Sequence, residues 1–172
     1  MASPTTIRRI TPRDPAPMAA AFAAIGWGGK DISQFERYLQ MEESGERAVL
    51  IAEHEGAFAG YLTLTWGSDD PELSRLGIPE VNDLNVLPAL QRRGIGAALM
   101  DKAEQITADR TDVIGIGVGL HHHYGQAQRM YVQRGYVFDG RGVVYEGRTV
   151  QPGESVPIDD SACLWLTKRL RD

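Results

Sequence analysis

A chain of 172 residues, 42% of them hydrophobic, fits one globular domain, which on folding hides about 70% of the surface its unfolded chain exposes. No apolar run reaches the ~18 residues of a membrane span, and a net charge of −5 without a basic tail argues against a nucleic-acid partner. The single cysteine, Cys163, cannot close an intramolecular disulfide, and residues 1–4 lack the basic start and apolar core of a secretory signal, so a cytoplasmic protein is expected.

Residues 6–10 alternate and read as a first strand. Pro17 opens a helix that places Met18, Phe22 and Ile25 on one face, and Gly26-Trp27-Gly28-Gly29 breaks it. Asp31 or Ser33 caps a second helix with Phe35, Tyr38, Leu39 and Met41 as its apolar positions; Ser44-Gly45 ends it. Residues 48–53 and 57–66 form a hairpin around the turn Glu55-Gly56. Residues 67–79 are polar and rich in turn formers, and read as a loop.

Residues 81–86 have strand character, and Pro88 ends them. Beyond Gly94 the pattern is helical: Ile95, Ala98, Leu99, Ala103 and Ile106 recur at spacings of three and four, with Asp101, Lys102, Glu104 and Asp109 on the other side. Between strand and helix stands Gln91-Arg92-Arg93-Gly94-Ile95-Gly96-Ala97. A helix start presents unpaired N–H groups and a positive dipole end. Gly94 and Gly96 allow a ligand close to that backbone, and Arg92 and Arg93 add fixed positive charge. Together these make a site for a phosphate or pyrophosphate. A P-loop would need Gly-Lys-Ser/Thr, which is absent, and a dinucleotide fingerprint would need Gly or Ala where Leu99 stands.

In residues 112–120, Gly115, Gly117 and Gly119 alternate with Ile114, Ile116, Val118 and Leu120, so one strand face is packed and the other is bare backbone. Either a neighbouring element or a ligand approaches that face. Residues 124–134 form a helix, stopped by Gly135 as a natural C′ residue. A strand begins at 136–138, is broken by Asp139-Gly140 and resumes at 143–145. Gly147, Pro152, Gly153 and Pro157 punctuate a long connection to the last strand, 162–167. The order β-α-α-β-β-β-α-β-α-β-β, without repeats or a linker, implies a single domain over 1–172 built on one α/β sheet.

His121-His122-His123 invites a metal reading, but extended neighbours point apart and no Cys or carboxylate lies at metal-ligand spacing. No metal is expected. At the end of the glycine-rich strand, a histidine suits lining a site or relaying protons.

The Gln-x-x-Gly-x-Gly junction is followed, about 35 residues on, by Ala127-Gln128-Arg129-Met130-Tyr131-Val132-Gln133-Arg134-Gly135-Tyr136. This pair of motifs resembles the GCN5-related N-acetyltransferases, the GNAT family; the resemblance is specific over residues 79–136 and elsewhere extends only to a compatible order of elements. It implies a mixed, mostly antiparallel central sheet flanked by helices on both faces. It also implies acetyl-CoA as co-substrate and no metal. Amides near Val86 and Leu87 would hold the pantetheine arm, and Gln91, Arg92, Arg93, Gly94, Ile95, Gly96, Ala97 and Ala98 the pyrophosphate. Gln128 would add a coenzyme contact, as would Tyr124, which stands where the family often has Asn.

Ala127 and Tyr131 share a helix face, and the resemblance makes Tyr131 the general acid that protonates the leaving thiolate, a task suited to a phenol that keeps its proton at neutral pH. Family members often carry the general base on the strand before the loop. Glu80 and Asp83 both stand there with opposite parity; the resemblance places the base on the face that holds Glu80, at that spacing from the glycine loop, so it implies Glu80 rather than Asp83. Trp27 and Trp66 fall in regions that the resemblance places near the acceptor pocket. The implied reaction is direct attack by a primary amine in a ternary complex, with placement of both substrates supplying much of the rate. The acceptor stays open between a small-molecule amine and a protein amino group. A non-catalytic acyl-CoA-binding or regulatory domain on the same scaffold would need neither Tyr131 nor Glu80, and the presence of both favours an enzyme. The final strands would allow pairing in a homodimer.

Overall fold

Local signals set the element boundaries. In the computed structural model, which describes residues 5–171, strand β1 (Thr5–Arg9) leads to α1 (Pro15–Ala24), with proline in its first turn. Asp31 caps α2 (Ile32–Ser44) by accepting the Gln34 N–H at 2.9 Å, and Gly45 ends it in the left-handed conformation (φ 80°). Strands β2 (Arg47–His54) and β3 (Ala57–Thr65) form the expected hairpin, with Leu50 opposite Leu62 and a bulge between Ala52 and Glu53.

The segment 67–79, expected as a loop, contains a short helix, α3 (Pro71–Leu76). Asp70 accepts the N–H groups of Glu72 and Leu73, Pro71 stands in the first turn, and Gly77 (φ 65°) stops the helix. Cap, proline and C-terminal glycine were all present in the sequence; their crowding into so short a span disguised the helix as a turn. Then come β4 (Glu80–Val86), α4 (Ile95–Ala108), β5 (Val113–Gly119), α5 (Gly125–Gln133), β6 (Val137–Phe138), β7 (Val144–Tyr145), β8 (Arg148–Thr149) and β9 (Ala162–Arg169). The two-residue β8 was not foreseen. The fold class is as expected: α/β, with a mixed, mostly antiparallel sheet flanked by helices.

The chain divides into two compact units. One contains the described residues through Trp66 together with Asn82–Gln105. Its strands run β1-β2-β3-β4, with Ile7 opposite Ala52. Its core gathers Ile10, Met18, Phe22, Phe35, Val49, Ile51 and Tyr61. Phe22 touches four rings, those of Trp27, Phe35, Phe58 and Tyr61, at centroid distances of 5.7 to 5.9 Å. Burying a phenylalanine fully contributes about 1.5–3 kcal/mol, so this aromatic knot anchors α1 and α2 to the sheet. Gly60 of β3 serves a second purpose: a β-carbon there would stand 2.5 Å from the Asn85 carbonyl oxygen and 3.0 Å from Val86 Cα. Its bareness lets the end of β4 lie close, where the Leu87 N–H donates to the Ala59 carbonyl at 2.9 Å.

The other unit contains Gly67–Val81 and the described residues from Ile106 onward. The first two residues of β4 pair in parallel with β5 (Glu80 with Gly115, Val81 with Ile116), and β9 runs antiparallel to β5 with Trp165 opposite Gly117. Strands β6 and β7 pair with β9, and β8 with β7. The bare face of β5 is filled by protein side chains. An added β-carbon would meet Leu73 at 2.3 Å from Gly115, the Trp165 ring at 3.2 Å from Gly117 and the Tyr124 ring at 2.3 Å from Gly119. Leu73, Val144 and Trp165 form the core here. Beside them Asp70, its side chain fully buried, takes two parallel hydrogen bonds of 3.0 Å from Arg141, whose Nε also donates to Asp139 at 2.6 Å. A buried carboxylate is tolerable only when paired in this way. No helix among the described residues is long and apolar enough to cross a membrane.

Candidate active site

The turn between β4 and α4 is built for close approach to its backbone. Pro88–Leu90 forms a single 3-10 turn after Leu87, and the Gln91 side chain folds back to donate to the Val86 carbonyl at 3.2 Å. Arg92 (φ 60°) and Gly94 (φ 81°) are both left-handed, a conformation that for Arg costs about 1–2 kcal/mol. Such a turn aims successive amides to one side, as in anion-binding nests. Helix α4 then begins at Ile95, which is buried and anchors the first turn, and the Ala98 N–H closes the first ring on the Gly94 carbonyl at 2.9 Å. Residues 91–94 are exposed. The expected pyrophosphate residues Gln91 through Ala98 thus fall in one continuous segment from exposed turn to helix start. Val86 and Leu87 precede it across the Pro88–Leu90 turn, with Leu87 packed against the aromatic core.

The two candidate carboxylates have different settings. Glu80 opens β4, is buried, and accepts the Ser68 hydroxyl at 2.6 Å. Asp83 sits three residues on with a left-handed backbone (φ 58°) inside the strand, a conformation Asp tolerates better than most residues and one that concentrates at functional sites. Its carboxylate takes five donors. The Lys30 ammonium (2.5 Å) and the Asn85 amide (2.6 Å) reach Oδ1; the hydroxyls of Tyr61 (2.5 Å) and Tyr38 (2.7 Å) and the Gln34 amide (3.4 Å) reach Oδ2. Burial pushes Asp83 up, but the Lys30 charge and the hydrogen bonds of Lys30, Tyr61 and Tyr38 hold it below the usual carboxylate value. Burial and the Asp83 charge raise both phenols well above the ordinary tyrosine value. Lys30, Gln34, Tyr38, Tyr61 and Asn85 carried no motif in the sequence.

Helix α5 carries Tyr131, which is buried, packs beside Tyr136 at a ring-centroid distance of 6.0 Å, and receives the Tyr136 N–H on its carbonyl at 3.0 Å across the left-handed Gly135. Burial, then the neighbouring Tyr124, raises the Tyr131 phenol above its ordinary value, so it holds its proton throughout the neutral range. Gln128 donates to the Gly119 carbonyl at 2.8 Å, fastening α5 to the end of β5. Tyr124 lies over Gly119 and donates to Asp160 at 2.8 Å. His121 meets the Tyr124 ring edge-on (4.6 Å between centroids) and reaches the same Asp160 oxygen at 3.1 Å. The three histidine rings cluster, His122 and His123 at 3.9 Å, yet among the described residues no group of three His, Cys, Asp or Glu is arranged to hold a metal ion. Trp27 is 40% exposed and stacks on Phe22.

Residues 17–136 match the family model described as the acetyltransferase (GNAT) family. An uncharacterized N-acetyltransferase of Mycobacterium bovis is 32% identical over 105 residues, covering 60% of this chain; the match spans 62% of the mycobacterial protein's length, under two thirds of it. The uncharacterized N-acetyltransferase YhfO of Bacillus subtilis is 28% identical over 131 residues, 76% of this chain and 86% of that protein. Among solved structures, an N-acetyltransferase from Staphylococcus aureus Mu50 superposes with a TM-score of 0.73 at 12% identity, covering 98% of this chain and 100% of that one. The structure of yncA from Salmonella typhimurium with its cofactor acetyl-CoA gives 0.70 at 16% identity, covering 98% and 95%.

Proposed function

The chain belongs to the acetyltransferase (GNAT) family, and on that footing we propose that it transfers an acetyl group from acetyl-CoA to a primary amine. The observation that supports this most is the turn itself: left-handed Arg92 and Gly94, exposed, directly before the start of α4. Helix-start amides and two guanidinium groups suit a diphosphate. The amides and arginines of residues 91–98 hold the pyrophosphate, and the backbone at Val86 and Leu87 the pantetheine arm, with Tyr124 and Gln128 as further contacts.

Acetyl-CoA supplies the acetyl carbon already activated as a thioester. The amine nitrogen forms the new C–N bond, and the C–S bond breaks. One proton leaves the nitrogen for Glu80, which is buried and accepts the Ser68 hydroxyl. One proton passes from Tyr131 to the departing sulfur, and the raised phenol keeps that proton available at every working pH. The acceptor class, small amine or protein amino group, follows from this chemistry only as far as a nucleophilic primary nitrogen.

The test is release of free thiol from acetyl-CoA by purified protein against a panel of primary amines, beside calorimetric binding of acetyl-CoA. Amine-dependent thiol release is the expected result. Tight binding with no turnover on any amine would sink the enzyme reading and leave an acyl-CoA-binding domain; no binding by folded protein would sink both.

A further inference from the structure

The ring of donors around Asp83 leaves one oddity: a primary ammonium from the same chain fills its centre. Lys30 lies between α1 and α2, yet its Nζ reaches inward to Asp83 Oδ1 at 2.5 Å and the Tyr61 hydroxyl at 2.8 Å, and stands 5.4 Å from the Tyr61 ring centroid. The Lys30 side chain is only 19% exposed and that of Asp83 14%. Lysine is costly to seal away. Tyr38 and Tyr61 add aromatic walls 6.2 Å apart, the surroundings that cations favour. A further acceptor is also in place: Gln34 Oε1 is buried with no hydrogen-bond partner among the described residues.

We propose that this cage is a binding site for a primary alkylammonium group of the acceptor, and that Lys30 is an internal stand-in which the acceptor displaces. The inference rests on the acetyltransferase reading for the word acceptor, but the cage itself is defined by geometry alone. Asp83 is in this account a positioning residue that selects and holds the cationic group. Displacement exchanges one N–H···O⁻ ion pair for another, so the net drive comes from the freed Lys30 returning to water and from the unused Gln34 oxygen gaining a donor. The recognition needs N–H donors. A quaternary ammonium of similar charge brings none, and is excluded.

The experiment uses Lys30→Ala, which empties the centre, with n-butylammonium chloride as the probe and sodium chloride and tetramethylammonium chloride as controls. n-Butylammonium is expected to raise the melting temperature of K30A saturably, to raise that of the unsubstituted chain less because there it must displace Lys30, and to lose its effect in K30A/D83N; tetramethylammonium is expected to do nothing. Equal responses of K30A and the unsubstituted chain, or of butylammonium and tetramethylammonium, overturn the proposal. Kinetics give a second readout that does not need K30A to fold. Asp83→Asn keeps the shape and the left-handed backbone, and is expected to raise the amine KM about tenfold while the acetyl-CoA KM stays unchanged. A merely structural Asp83 would weaken both together or neither, and either result counts against the cage. Absence of turnover on every amine, with butylammonium still binding K30A, would refute the acetyltransferase reading and leave the ammonium site standing.

Discussion

Tyr124 presses its ring onto Gly119 so closely that a β-carbon on the glycine would lie 2.3 Å from it. Gly119→Ala therefore must move Tyr124, and with it the hydrogen bond to Asp160 and the start of α5. Overpacking of this kind destabilises by about 1–3 kcal/mol. Chemical denaturation should show that loss for Gly119→Ala. Gly125→Ala, where an added β-carbon meets nothing within 4 Å, should be near neutral. Equal stability of both variants would contradict the packing described.

Tyr131→Phe removes one hydroxyl from a buried ring and should leave the melting temperature almost unchanged. If the phenol protonates the leaving sulfur, kcat falls about a hundredfold or more while the acetyl-CoA KM holds. Unchanged kcat would dismiss the acid role.

Gly94→Ala places a β-carbon on a residue at φ 81° and costs about 1–2 kcal/mol locally. The turn is expected to relax away from its left-handed form, so acetyl-CoA affinity should fall more than the affinity for amine. Gly153, also left-handed (φ 87°) but far along the chain in the connection before β9, serves as control: Gly153→Ala should carry the stability loss without the coenzyme effect.

The acid limb of stability should depend on Asp83. Its carboxylate is held below its ordinary value in the folded protein despite burial, by Lys30 and the surrounding hydroxyls. The stability it contributes is present above the unfolded value of about 3.9 and is lost as pH falls through the lower folded value. Urea midpoints should therefore decline below about pH 4, and Asp83→Asn should be less stable at neutral pH yet decline less steeply in acid. A parallel decline of the two proteins would show that Asp83 has no part in it.

Cys163 should not disturb a thiol-release assay. Burial, followed by the charges of Asp70 and Glu80, pushes its thiol up to about 11, so at neutral pH about one molecule in ten thousand presents a thiolate. A thiol-reactive dye should label the folded protein slowly and the urea-unfolded protein at once. Fast labelling of the folded form would show the site to be more open than its packing against the Leu73 cluster implies.

The sheet and its crossover helices were legible because their signals are local and periodic: the Ile95-Leu99-Ala103 stripe, the Glu55-Gly56 turn and the Asp31 cap each state an element within a few residues. The phosphate turn was legible for the same reason. Its left-handed Arg92 was not, since only the glycine advertises that conformation. The purpose of the β5 glycines stayed ambiguous in sequence because the side chains that fill their faces, Leu73, Trp165 and Tyr124, come from three separated places. The Asp83 cage was invisible for a sharper reason. Lys30 and Tyr61 lie far from Asp83 along the chain, and a lysine beside two glycines reads as solvated. Parity distinguished Glu80 from Asp83, but the left-handed kink at Asp83 cancels parity within β4.

Gly60 gives the phosphate turn a dependency that no motif search would list. Because β3 must be bare at that point for the Asn85–Val86 backbone to settle against it, even a methyl group added there pries at the foundations of the turn from behind. Variation in a buried strand with no reactive atoms would then surface as a coenzyme defect, and a screen confined to Gln91 through Ala98 would miss its origin.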